Sequence, residues 1–416
     1  MQIYLLANLI SCGFASFSLD EKEIIVPGLA SVDEGEVYSN SEIAAATLDP
    51  FEALRADGFF FSKREVIVDG ESHKTRNLED EVEPFPFGIY NSVDDEKIFY
   101  RYWDPKEDES IRGLLILVHG MAEHSERYSS FASELADNLE VRVVAPDLRG
   151  HGLTGCPDSE SDSFHLGELR KGESAKCEDA LNLMSKDVIG IIDEVTASLS
   201  DSLPLVIFGH SMGSVIVRAM LKNSPTGLLQ RVKAVILSGV PTAPSALEVL
   251  PVTVIGELVK RTGLGAEFVK KNFVTGKFDY QLKNKLNLRS VKENSFISSD
   301  PEEVEKFSNG KMTNHLIDPE IMISIVNHLR ALQTPSTYFA SLKEFKIPFL
   351  FVSGRDDPVC MFGATATTDA QYLKALGHPV SELYLGDARH EFINEFEPVR
   401  SEGITLLTAW IATKLE

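Results

Sequence analysis

The stretch Leu203–Ser214, LPLVIFGHSMGS, decides how the rest of the chain is read. Its first half is an almost unbroken run of β-branched and aliphatic residues, the pattern of a parallel strand buried on both faces. Its second half holds Gly209-His210-Ser211-Met212-Gly213, a G-x-S-x-G placed where that strand ends and a helix-period stretch, Ser214 to Asn223, begins. A strand that turns sharply into a helix leaves no room for side chains at the turn, hence the glycines, and it holds the serine in a strained, exposed position. The helix N-terminus adds free N–H groups and the positive end of a dipole where negative charge would develop. Ser211 is the candidate nucleophile.

Working outward, three further runs have the same buried-strand character: Gly113 to Gly120 (GLLILVHG), Val141 to Asp147 (VRVVAPD) and Lys233 to Val240 (KAVILSGV). Helix-period stretches at Tyr128 to Leu139 and Asp187 to Leu199 separate them, and this alternation predicts an α/β fold with a mostly parallel, doubly wound sheet. FGIYNS and KIFYRYWDP, on either side of the acidic turn Val93 to Glu96, predict an antiparallel hairpin ahead of it. The last two strands, Ile347 to Gly354 and Ser381 to Asp387, follow only after the interval Pro241 to Phe345, whose helical character marks it as an inserted cap. The expected organisation is therefore an acidic extension over 1–84, the first part of the core over 85–240, the cap over 241–345 and the second part of the core over 346–416.

With 416 residues, 43% apolar and 25% charged, the chain has the composition of a globular protein with a sizeable core. Its formal charge is -23, and residues 1–110 hold 24 acidic against 9 basic side chains, a net -15. Such acidity argues against nucleic acid as a partner and predicts that any membrane contact is apolar. Cys12, Cys156, Cys177 and Cys360 make no C-x-x-C pair and no zinc spacing with histidine, so neither a metal nor a cofactor is expected; a loop disulfide between Cys156 and Cys177 stays open. The apolar run Ile3 to Phe17 has the length of a signal-peptide core, with residues 1–18 as the segment concerned, but no Lys or Arg precedes it. The compartment is left open between cytoplasmic, membrane-peripheral and secreted. Leu9 to Cys12 has the form of a lipoprotein cleavage box close to Met1, and an apolar element packed on the body is the plainer reading.

A serine hydroxyl attacks only when a base removes its proton, and in the chain order Ser, acid, His that base follows the last strands. His390, in GDARHEFINE, sits on a loop able to swing back over Ser211, whereas His378 precedes the last strand and reads as structural. The acid comes from the end of the preceding strand, where Gly354-Arg355-Asp356-Asp357-Pro358 offers Asp356 or Asp357. The loop after Gly113–Gly120, HGMAEHSERY, supplies the other half of an oxyanion hole, with the backbone N–H groups of Met121 and Met212 as donors. Glu123, His124 and Arg127 are expected to brace that loop, and His151 to organise the Gly-rich loop DLRGHGLT.

These motifs, HGMAEHSERY, APDLRGHG, GHSMGS, SGRDDPV and ARHEFINE in that order, resemble the monoacylglycerol lipase and lysophospholipase branch of the α/β-hydrolases, which includes serine aminopeptidases. The resemblance covers Phe85 to Glu416 and implies the α/β-hydrolase fold, a variable cap and Asp357 as the acid. It also implies an acyl-enzyme mechanism on carboxylic esters of lipids. The apolar segment Ala246 to Val259 reads as a lid opening onto lipid or as buried cap helices, and transient membrane contact is expected through the cap. Proline iminopeptidase-like cleavage is the enzymatic rival and needs acidic cap residues such as Glu257 and Glu267 to hold a free amine. A non-catalytic binding module on the same scaffold is the reading of a different class.

Overall fold

The computed structural model describes residues 86–106, 111–155, 165–200, 203–241, 275–332, 334–364 and 366–415. The N-terminal apolar run, the acidic extension, Cys12, Cys156, the segment Ala246 to Val259, Glu257 and Glu267 lie outside the described residues.

The described strands form one sheet. β1 (Phe87–Asn91) and β2 (Lys97–Trp103) make the antiparallel hairpin, with the turn residues between them. β3 (Gly113–Val118), β4 (Val141–Pro146), β5 (Leu205–His210), β6 (Val232–Ser238), β7 (Phe349–Gly354) and β8 (Val380–Leu385) run parallel, and the strand order is β1-β2-β4-β3-β5-β6-β7-β8. The fold is the α/β-hydrolase fold, mostly parallel and doubly wound. Parallel pairing sends the C-terminal ends of β3 to β8 to one edge of the sheet, so the loops after β3, β5, β7 and β8 gather there.

The helices are α1 (Ser129–Leu139), α2 (Ala180–Leu199), α3 (Met212–Asn223), α4 (Thr226–Arg231), α5 (Thr275–Lys285), α6 (Pro301–Asn309), α7 (Pro319–Ala331), α8 (Pro335–Tyr338), α9 (Ala366–Ala375) and α10 (Val399–Leu415). They cover the sheet on both sides, and β3 shows why its sequence is apolar throughout. Leu114, Ile116 and Val118 face the core shared with α2, α3 and α7, while Leu115 and Leu117 face the core shared with α1 and α10. Each fully buried aliphatic side chain of this kind contributes about 1.5–3 kcal/mol.

α2 starts at Ala180, two turns before the expected Asp187, because Asp179 caps it by accepting from the Asn182 N–H. Asp187 is then a buried interior residue paired with Arg149. Between β6 and β7, the described residues include α5, α6, α7 and α8 joined by turns and irregular chain, and α7 packs on α2 and α3. No described helix is long and apolar enough to cross a membrane. Cys177 is a free, exposed thiol and Cys360 a free, buried one.

Candidate active site

Ser211 stands between β5 and α3 at φ 50°, ψ -118°, a left-handed backbone that a β-branched or bulky residue would not adopt. Its N–H donates to the Ser238 carbonyl at the end of β6 (2.9 Å), and the Ser214 hydroxyl donates to its carbonyl (2.6 Å). Gly213 allows α3 to press against β3, since a Cβ there would lie 2.1 Å from the Val118 carbonyl oxygen. The serine is therefore held from both sides of the turn, with its own side chain only partly covered.

His390 and Asp357 come from the loops after β8 and β7. Asp357 is completely buried and its Oδ2 lies 2.9 Å from His390 Nδ1. Its other oxygen accepts from the Val359 N–H at 2.8 Å. An ionised carboxylate only accepts, so the Nδ1 proton points at Asp357 and Nε2 keeps its lone pair. Burial pushes the Asp357 carboxyl up, but the His390 ring and the hydrogen bonds it accepts outweigh burial and hold it below the usual carboxylate range. Burial works against a charged His390, yet Asp357 beside it raises the imidazole above its ordinary value. Asp356, one residue earlier, is half-buried; burial and the nearby Asp387 raise its carboxyl.

His390 lies next to the serine turn. Gly239, one residue beyond the Ser238 that bonds Ser211, sits at φ 56°, and a Cβ on it would be 2.8 Å from His390 Cε1. The His390 ring also lies against His210, tilted by 48° with 4.6 Å between centroids, and against Phe296 at 5.9 Å. The backbone N–H groups of His390 and Glu391 donate to the Phe296 and Ile297 carbonyls (3.1 and 2.8 Å), so the loop is anchored to the chain between α5 and α6.

His119, His124, His151, His210 and His378 are also buried and differ from His390 in charge preference. Burial drives His119 down to about 4, His124 to about 3 and His210 to about 3, and pushes His151 well below its ordinary value. His119 is a fixed neutral ring, Nδ1–H donating to the Gly120 carbonyl (2.7 Å) and Nε2 accepting from the Leu148 N–H (3.0 Å). His151 donates to the Arg149 carbonyl from Nδ1 at 2.8 Å, the loop-organising contact expected of it. His378 bonds the Ile347 backbone and is likewise depressed by burial.

Met121 and Met212, the expected oxyanion donors, lie in the loop after β3 and directly after Ser211. Gly120, just before Met121, approaches so closely that a Cβ on it would be 3.2 Å from Ser211 Cβ. Ala122, just after, takes φ 56° and turns the loop. Met212 is the first residue of α3, and the N–H of a first helical residue has no carbonyl one turn earlier to receive it.

Glu123 and Arg127, expected to brace the loop after β3, also tie it to the loop after β8. Glu123 Oε1 accepts from the Gly120 N–H (2.6 Å) and the Tyr128 hydroxyl (2.9 Å), and Oε2 from Arg127 (2.8 Å). Arg127 reaches on to Glu391 in a two-point contact of 2.8 and 2.6 Å. Glu391 was inside the quoted ARHEFINE, but nothing in a linear motif says that it meets a residue 264 positions away. Among the described residues, Glu123, His210 and Glu391 place potential metal-ligand atoms within 4.8 Å of one another, yet the positive charge there is already the Arg127 guanidinium.

Comparison with known proteins agrees with this architecture. A family model described as serine aminopeptidase, S33, matches residues 109–397. A monoacylglycerol lipase of Mycolicibacterium smegmatis is 33% identical over 143 residues, 34% of this chain and 42% of that protein. A probable protein phosphatase methylesterase 1 of Caenorhabditis elegans is 31% identical over 128 residues, 28% of this chain and 30% of that protein. The chain thus spans less than half the length of these two relatives in the matched region. A solved structure of a highly thermostable carboxyl esterase from Bacillus coagulans superposes with a TM-score of 0.64 at 22% identity, covering 80% of this chain and 99% of that one. The match over well more than half its length shows that this chain belongs to the serine aminopeptidase, S33, family of α/β-hydrolases.

Proposed function

We propose that the protein is a serine ester hydrolase with Ser211 as nucleophile, His390 as general base, Asp357 as the acid that orients it, and the N–H groups of Met121 and Met212 as oxyanion donors. The observation that carries this reading is the buried 2.9 Å His390–Asp357 contact beside a serine at φ 50°. The Ser211 oxygen attacks the ester carbonyl carbon as its proton passes to His390 Nε2, and the two amides hold the oxyanion. Collapse of the tetrahedral intermediate breaks the bond to the leaving alcohol, which takes the proton from His390. Water, deprotonated by the same ring, then releases the acid from the acyl-serine.

For substrate we propose carboxylic esters of lipids, of the monoacylglycerol or lysophospholipid class. The likeness to the mycobacterial lipase supports this, and so does the surface near His390. α5, which packs Phe278 on Phe296 at 5.2 Å, exposes Tyr280 (66%) and leads into Lys283, Lys285, Arg289 and Lys292. The overall charge of -23 favours apolar contact, but residues 275–292 hold five basic side chains against Asp279, a local reversal that would let this face also meet an anionic lipid surface.

Each methylene taken into an acyl pocket contributes about 0.8 kcal/mol, so kcat/KM should climb from short to medium or long acyl chains. Competitive hydrolysis of a mixed panel of monoacylglycerols, lysophospholipids, methyl esters and aminoacyl-naphthylamides tests this. A flat response, or a preference for methyl esters or free-amine substrates, removes the lipid reading and leaves the triad. Fluorophosphonate labelling lost in Ser211→Ala, with the fold intact, tests the triad itself; labelling that persists moves the nucleophile elsewhere.

A further inference from the structure

Two loops must be in register for the proposed reaction: the one carrying Met121, where the oxyanion forms, and the one carrying His390, where the proton goes. Gly120, adjacent to Met121, donates to Glu123; Glu123 accepts from Arg127; Arg127 grips both oxygens of Glu391; and Glu391 is the neighbour of His390. The contacts run between 2.6 and 2.8 Å, and the Arg127, Glu123 and Glu391 side chains are only 9%, 3% and 3% exposed. Asn394 donates to Glu391 at 2.9 Å, and the guanidinium lies 5.1 Å from the Phe307 ring centroid of α6. We infer that Glu123, Arg127 and Glu391 form one positioning unit that sets the spacing between the oxyanion loop and the histidine loop.

Stability is a poor explanation for this unit. A buried ion triad pays heavily in desolvation, and packed apolar residues of the same volume hold a fold as well or better. What a bidentate guanidinium adds is direction: two planar carboxylates fixed at one distance and angle. Direction matters here because the oxyanion donors act only on the transition state, where loss of one donor lowers turnover about 100- to 1,000-fold.

The inference rests on the proposed triad, and the test keeps the two apart. Wild type, Arg127→Lys, Glu123→Gln, Glu391→Gln and the double variant Glu123→Gln/Glu391→Gln are assayed on p-nitrophenyl esters, for inhibition by an alkyl boronic acid, and for fluorophosphonate labelling. Arg127→Lys keeps the charge without the fork, so it remains informative if bolder changes at Arg127 fail to fold. Each single variant should lower kcat about tenfold or more with KM within about twofold. The boronate, which places a tetrahedral oxygen in the hole, should weaken in step with kcat. Because the three side chains act together, the double variant should be no worse than its weaker parent. The inference is overturned if kcat and boronate affinity hold while only thermal stability falls, or if the two glutamine losses multiply. Absence of labelling in the wild type would instead be a failure of the Ser211 assignment.

Discussion

Two buried arginines, Arg149 and Arg127, each hold two carboxylates, and they differ in what those carboxylates belong to. Arg149 contacts Asp94 at 2.6 Å and Asp187 at 2.7 Å, with Ser92 at 2.8 Å, and so joins the β1–β2 turn to α2 and the loop after β4. Arg127 joins the loops that carry Met121 and His390. The electrostatics run in parallel. In each cluster burial pushes both carboxyls up and the guanidinium outweighs it for only one of them: Asp94 falls to about 2 and Glu391 falls, while Asp187 rises and Glu123 rises to about 7. One cation serves one anion fully, and the second anion is left with its desolvation. The same chemical motif thus does scaffold work in one place and site geometry in the other, and only the identity of the tethered loops separates them.

That separation can be broken by experiment. The largest effect belongs to the site itself: Asp357→Asn should lower turnover about 10,000-fold by favouring the wrong histidine tautomer, whereas Asp356→Asn should stay near wild type. The reverse ranking in steady-state kinetics would move the acid to Asp356. Next, Arg149→Met strands Asp94 and Asp187 without a cation and should cost about 3–5 kcal/mol in urea denaturation, with kcat of the folded fraction nearly unchanged. A large loss of kcat at unchanged stability would place Arg149 in the site and erase the contrast.

The pH response sharpens it further. The Glu123 carboxyl rises from an ordinary 4.5 to about 7, so the fold disfavours its charged form, and stability should decline as pH rises from about 4.5 through 7. Asp94 moves the other way, from 3.8 to about 2; its contribution is complete above about 4 and lost as pH falls through 2. In Glu123→Gln the denaturation midpoint at about pH 8 should therefore rise relative to that at about pH 5, and an unchanged difference would assign the ionisation elsewhere. The smallest effects are single hydroxyls: Ser92→Ala and Tyr128→Phe each remove a bond to one cluster and should cost about 1–3 kcal/mol. Only Tyr128→Phe should also lower kcat.

How much of this was legible beforehand follows from range of interaction. The strand runs, the serine turn and the chain order of serine, acid and histidine are local patterns, and β5 and the Ser211 turn lie where the sequence predicts. α2 shows the limit. An acid heading an apolar-periodic run reads as a helix start, but Asp187 sits inside the helix, where Arg149, distant in sequence, pairs with it. Turn chemistry alone leaves Asp356 and Asp357 both open, and it was the resemblance carried by SGRDDPV that implied Asp357, the residue that contacts His390.

The sequence by itself determined the sheet, its edge of loops and the residue types able to perform nucleophilic catalysis, because backbone sterics and apolar periodicity act over a few residues. Only the tertiary structure decided at what distance Asp357 meets His390, which buried histidine gains a stabilised charge, and that Arg127 reaches Glu391. Those outcomes depend on burial and on contacts between loops from different strands, where a low dielectric and fixed distances make one partner prevail over its neighbour.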